Sequence, residues 1–162
     1  GYPVGRSKRI EETLDLVDSE GIVQHTIPVA LNTSDIARQY RTQYLHLIKA
    51  QQAYAALRQA QGEEKAEAVE RAEEALGEAV LGLFRLVFGE EGLQQILSFY
   101  DGCYIEMLEN VLPFLTQVVA PAVQADAAQR KQRIAQNYGI AKARKWGINA
   151  VSYTHLRAHE TD

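Results

Sequence analysis

The sequence predicts an α+β fold that is mostly α: an N-terminal β-hairpin, then a helical hairpin, then a kinked apolar helix, together forming a small bundle. Three observations predict it. Between Arg9 and Leu31 apolar residues recur with a period near two on either side of a Ser19-Glu20-Gly21 turn, the pattern of paired strands. From Ile36 onward they recur at intervals of three, four or seven residues, which lines them up along one side of helices. Finally, Phe84–Val123 (FRLVFGEEGLQQILSFYDGCYIEMLENVLPFLTQVVAPAV) reads as three apolar helical segments joined by GEEG and DG, the mass on which the rest can pack.

In the hairpin, RIEETLDLVD and IVQHTIPVAL are the two arms. Val23, His25, Ile27, Val29 and Leu31 alternate with Ile22, Gln24, Thr26 and Pro28, so one face of the second arm is largely apolar. Gly21 can take the positive φ of a tight turn. Pro28 has no N–H to give a ladder, which places it on an edge or at a bulge. Two strands alone are marginal in water, so the hairpin is expected to pack on the helices, pair with a strand near Tyr2–Val4, or add to another copy.

Asn32, Thr33 and Ser34 offer cap oxygens for a first helix, and Asp35 puts negative charge where the helix dipole favours it. Its apolar stripe is Ile36, Tyr40, Tyr44, Leu47, Tyr54 and Leu57, and Gly62 ends it. A second helix over Glu63–Phe88 sets Ala66, Val69, Ala72, Leu76, Val80, Leu83 and Val87 on one side. The short link makes the pair an antiparallel helical hairpin. Gly89 suits a C-cap, after which Gly92–Tyr100 forms a short helix with Leu93, Ile96, Leu97 and Tyr100 inward. A long apolar helix then starts near Cys103, and Pro113 and Pro121 predict kinks or breaks in it. Beyond Val123 a polar helix continues and ends in the frayed basic segment GIAKARKWG.

A chain of 162 residues, 46% hydrophobic, fits one domain with a real core. The expected divisions are 1–31, the hairpin; 32–138, the helical bundle; and 139–162, a basic, disordered tail. Gly1 in place of Met suggests a start that is missing. Cys103 is the lone cysteine, which excludes a disulfide framework or a cysteine zinc site within one chain. No signal peptide is recognisable. The longest uncharged stretch, Asn110–Ala125, has 16 residues and two prolines, short of the roughly 20 that a membrane span needs. Charge is uneven: residues 63–109 hold twelve acidic and three basic side chains, residues 110–150 one acidic and six basic. The two regions can therefore attract each other or a neighbouring copy.

No catalytic, cofactor or metal site is expected, and no enzyme. Glu63, Glu67, Glu70, Glu74 and Glu78 lack the Glu-x-x-His spacing of a helical di-metal site and read as a solvated face. His25 and His46 have no third ligand and read as boundary histidines. Cys103 reads as a small buried residue rather than a helix-activated thiolate. G-x-x-x-x-G-K, G-x-S-x-G and paired C-x-x-C are all absent from the sequence. Tyr40, Tyr44 and Tyr54 form a stripe that serves either as core or as one wall of a partner groove. The basic segment Arg130–Trp146 reads as a solubilising helix end, with contact to nucleic-acid phosphates as the alternative. Val151–Thr161, VSYTHLRAHET, resembles the conceptual translation of a transposase-type sequencing adapter. His155 and His159 fall within it and are set aside as metal ligands; a polar tail is the alternative.

Leu83-Phe84, Val87-Phe88-Gly89-Glu90-Glu91, Ile96, and Ile105-Glu106-Met107-Leu108 through Pro113-Phe114-Leu115 carry a resemblance. Over roughly residues 9–138 the order of a β-rich start, helices, an LFGEE-like hinge, a short helix and a final apolar helix is similar to the small tail assembly chaperones of long-tailed bacteriophages. The resemblance implies a non-enzymatic protein without cofactors that coats the helical tape measure protein in the cytoplasm of a bacterial host. It is expected to self-associate and to bind the tape measure protein or another apolar helical segment, with no membrane partner, and a nucleic-acid-binding phage protein using the basic C-terminal segment is the alternative. The residues expected to bind the partner are Tyr40, Tyr44, Leu47, Tyr54, Leu112, Phe114 and Leu115.

Overall fold

The computed structural model describes residues 1–4, 9–59 and 65–146, with side chains as far as Gly139. Strands β1 (Arg9–Val17) and β2 (Val23–Asn32) pair antiparallel in a two-stranded sheet. The register sets Ile10 opposite Leu31 and Leu14 opposite Ile27. The apolar alternation thus falls on one face, and Ile10, Leu16, Ile27 and Val29 are buried. Pro28 sits in regular register opposite Thr13, and the irregularity falls instead between Leu16 and Val17. In a two-stranded sheet β2 has an outer edge, where the missing N–H of Pro28 costs no ladder bond.

Asp18 organises the turn. Its Oδ1 accepts the Glu20 and Ile22 amides at 2.9 and 3.0 Å, its Oδ2 accepts the Gln24 side-chain amide at 2.8 Å, and Gly21 takes φ 80°. These donors, the Ile22 amide foremost, hold the Asp18 carboxyl below the usual carboxylate range.

Helix α1, Thr33–Gln59, follows β2 directly, with the Asn32 side-chain oxygen accepting the Ser34 and Asp35 amides at 3.0 and 3.4 Å. That is an N-cap satisfying two orphan donors. Helix α2 runs Lys65–Phe99 and passes through a bend at Gly89, whose φ 73° and ψ 176° only glycine adopts readily. The expected cap and separate short helix are thus one element with a kink. Arg85 and Glu90 bridge the bend at 2.6 Å, and that hydrogen bond is the main reason the Glu90 carboxyl lies below its ordinary range. Past the bend, a Cβ on Gly92 would stand 3.0 Å from Ile27 Cγ2, so the bare glycine lets α2 lie close against β2.

The chain then reverses through a Schellman turn. The Gly102 amide donates to Leu97 O at 2.8 Å and the Asp101 amide to Ser98 O at 3.3 Å, with Asp101 at φ 52°.

Helix α3, Tyr104–Phe114, continues into a π-helical turn, Leu115–Val119, and then α4, Ala120–Trp146. No break occurs at either proline. The Leu115 amide is shared between Val111 O and Leu112 O, and the Ala120 amide reaches five residues back to Leu115 O. Pro113 and Pro121 cannot donate, and the widened turn between them keeps the helix going. It also suits the core. Buried Met107, Val111, Leu115, Val119 and Val123 recur every four residues, a spacing that drifts by about 40° per step in an α-helix, and one wider turn takes out part of that drift.

Hairpin, α1, α2, α3 and the π turn share one apolar cluster centred on Phe84, Leu83, Leu93, Ile96, Met107 and Leu115. Residues Gly1–Val123 form one compact unit and Gln124–Asp162 a second. The division expected at 31 lies inside the first unit, because the apolar face of the hairpin is part of that cluster. The division expected at 138 lies within α4, which stays helical through Trp146 where a disordered tail was expected. The helix-ending Gly62 and the adapter-like stretch 151–161 lie outside the described residues. By length and composition the helical run Tyr104–Gly139, with a mean hydropathy of 1.2 and 28% of that apolar window buried, can cross a membrane. The sequence reading counted only uncharged residues and so expected no such segment; the test by length and composition admits up to two charged ones.

Candidate functional site

Along α3, the apolar side chains exceed what the core takes in. Met107, Leu108 and Val111 are buried, whereas Leu112 is half-buried and Ile105 is 41% exposed. These outer residues form one wall of a groove of about 630 Å³. The distal part of α1 supplies another wall through Gln51, Tyr54 and Ala55, and Leu76 of α2 lies between them. Ala55 contributes only a methyl group where a longer side chain would fill the space. Pro113, Thr116 and Gln117 complete the lining, and Pro113 brings no backbone N–H to it.

The lining is apolar with a sparse polar rim. Tyr54 donates its hydroxyl hydrogen to Glu73 Oε1 at 3.4 Å, and Glu109 stands at the edge. This is the kind of concave surface that holds an apolar helix by shape and desolvation. Among the described residues no group of three or more His, Cys, Asp or Glu could hold a metal ion.

The residues expected to bind a partner separate into two sets. Tyr54 and Leu112 line the groove. Tyr40, Leu47 and Leu115 do not: they are 3%, 0% and 0% exposed and belong to the core, which removes them as contact surface. Tyr40 stacks on half-buried Tyr44, with ring centroids 5.9 Å apart, and donates its hydroxyl hydrogen to Leu115 O at 3.3 Å. Burial, with a smaller contribution from Tyr44, pushes the Tyr40 phenol up to about 12. Phe114 is half-buried against Phe88, centroids 5.9 Å apart, and lies outside the groove lining.

The sequence reading missed Ile105, Leu108 and Leu76 as lining residues. Ile105 and Leu108 are three apart, and their spacing to Leu112 is the signal that could have found them. Cys103 is exposed, not buried, because it precedes α3 as the N-cap residue rather than lying on its inner side. His46 is exposed, and His25 sets its ring edge-on to Phe99 at 6.3 Å. Of the basic segment, Arg130 pairs with Asp126 one turn earlier on α4 at 3.1 Å. The chain matches no protein-family model, no curated protein and no solved structure.

Proposed function

We propose that the chain is an assembly chaperone of the kind that serves long-tailed bacteriophages, and that its groove receives apolar helical segments of the tape measure protein in the bacterial cytoplasm. The observation that carries the reading is the apolar groove formed by Tyr54, Leu76, Ile105, Leu108 and Leu112. A long helical client presents apolar side chains at i, i+3, i+4 and i+7, and a trough of aliphatic and tyrosine side chains accepts such a stripe without demanding one sequence. The work is grip: the groove hides client surface from water, and no bond is made or broken.

Coexpression with a tape measure protein of a long-tailed bacteriophage tests the proposal. The wild-type chain is expected to raise the soluble fraction of that protein and to co-purify with it. The Leu112→Asp variant places a charge in the groove wall at a half-buried position, and is expected to lose co-purification while remaining folded. A tape measure protein whose solubility and recovery are indifferent to the wild-type chain sinks the proposal.

A further inference from the structure

The hairpin has two outer edges of unlike kind. Pro28 stands in regular register opposite Thr13 and has no N–H, so these two residues form a pair that exchanges no ladder bonds. Backbone groups of such a pair point away from the partner strand. On β2 the outward position is thus Pro28, which offers no donor. On β1 the same alternation turns the N–H and C=O of Glu11, Thr13 and Asp15 outward, while Ile10, Glu12 and Leu14 bond to β2. Among the described residues no backbone hydrogen bond outside the ladder reaches Glu11, Thr13 or Asp15. Helices α1 and α2 hold the hairpin mainly through β2, which leaves this edge uncovered.

The edge is acidic. Residues 9–22 hold Glu11, Glu12, Asp15, Asp18 and Glu20 against the cation of Arg9. Glu11, Glu12 and Asp15 are exposed, and Glu12 is so although it alternates with buried Ile10 and Leu16 on the inward face. These charges select the occupant. A second copy's β1 laid antiparallel about Glu11, Glu12 or Thr13 sets Glu11 opposite Glu11, Glu12 opposite Glu12, or Glu11 opposite Asp15. Each is a like-charge pair that destabilises a sheet, whereas a cationic strand meets the reverse. Beside Glu11, Glu12 and Thr13 a hollow of about 450 Å³ is bounded on β2 by Pro28, Val29 and Ala30, space for the long stem of a Lys or Arg.

We propose that the outer edge of β1 accepts an extended basic segment of a partner protein as a third, antiparallel strand, with cations opposite Glu11 and Asp15 and the Thr13 backbone completing the new ladder. The edge shares no residue with the groove, so the inference stands or falls apart from client binding.

The probe is a capped synthetic peptide, Thr-Lys-Val-Thr-Lys-Lys-Thr, which in antiparallel pairing sets lysines opposite Asp15, Glu12 and Glu11. Amide hydrogen exchange of the full chain, read by NMR, gives the result. Without peptide, the Glu11, Thr13 and Asp15 amides are expected to exchange fast and those of Ile10, Glu12 and Leu14 slowly. Saturating peptide is expected to slow the first set by roughly tenfold or more, and the affinity is expected to fall by roughly tenfold or more between about 0.1 M and about 1 M salt. The same peptide N-methylated at the residues facing Glu11, Thr13 and Asp15 is expected to give no protection. Thr13→Pro removes an outward N–H without costing a β1–β2 bond, and is expected to abolish the protection with unchanged far-ultraviolet circular dichroism. Amides that stay fast at saturating peptide overturn the proposal. Equal binding by the N-methylated peptide does so too, since it reduces the contact to ion pairing. Protection of the three amides in the free chain at high concentration also overturns it, by assigning the edge to a second copy.

Discussion

Tyr40 is buried on α1, with its hydroxyl hydrogen on the Leu115 carbonyl, an acceptor that also takes the Ala120 amide of the π turn. Replacing Tyr40 by Phe leaves that carbonyl one partner, so the expected loss is about 1 kcal/mol in urea unfolding. The pH dependence follows from the raised phenol. The unfolded chain gives up this proton near pH ~10, whereas the folded protein keeps it up to about 12. The contribution is therefore complete below pH ~10 and is lost as pH climbs towards the folded value. Tyr40→Phe is expected to flatten that part of the alkaline decline. Tyr100, raised by burial and then by the charge of Glu106, accounts for a part that remains. Gly89 is a different kind of residue: a Cβ there meets nothing within 4 Å, so Gly89→Ala reports backbone strain alone. A cost of about 1–3 kcal/mol is expected from thermal unfolding, and a neutral result would remove the claim that the bend depends on glycine.

The helices show which parts of the fold are legible in sequence and which are not. Periodicity places Ile36, Tyr40, Tyr44, Leu47, Tyr54 and Leu57 on one side of α1, and that side does pack inward at Ile36, Tyr40 and Leu47. It says nothing of depth along the stripe. Whether a tyrosine becomes core or groove wall depends on what lies opposite: Tyr40 meets Leu115 O, while Tyr54 stands beside Ala55 and faces space. For the same reason Leu112 and Leu115, three apart on consecutive turns, have different fates. Truncation to Ala separates them: Leu115→Ala is expected to cost about 2–5 kcal/mol, the usual cost for a filled core site. Leu112→Ala, half-buried, is expected to cost less than half as much in the same denaturation assay. Proline chemistry was only partly readable. A lost N–H predicts a disturbance at Pro113 and Pro121, but its form depends on the four-residue spacing of the core side chains packed below.

At the scale of the whole molecule, the hairpin, the helical hairpin and the long apolar helix follow from alternation, stripe and turn chemistry, since each of those is local. The groove does not, because it is made by residues from Gln51 to Gln117 that only tertiary packing brings together. Nor does the single core under Gly1–Val123, which depends on Ile27 meeting α2 beside Gly92. The central claim is that an apolar helix binds there. Side-chain methyl NMR of the protein, titrated with a helical peptide from the tape measure protein, measures it residue by residue. The predicted result is saturable shifts at Leu76, Ile105, Leu108 and Leu112, with Leu16, Ile27 and Val29 of the hairpin unmoved. Methyl signals that stay still throughout, or shifts confined to the hairpin, would contradict it.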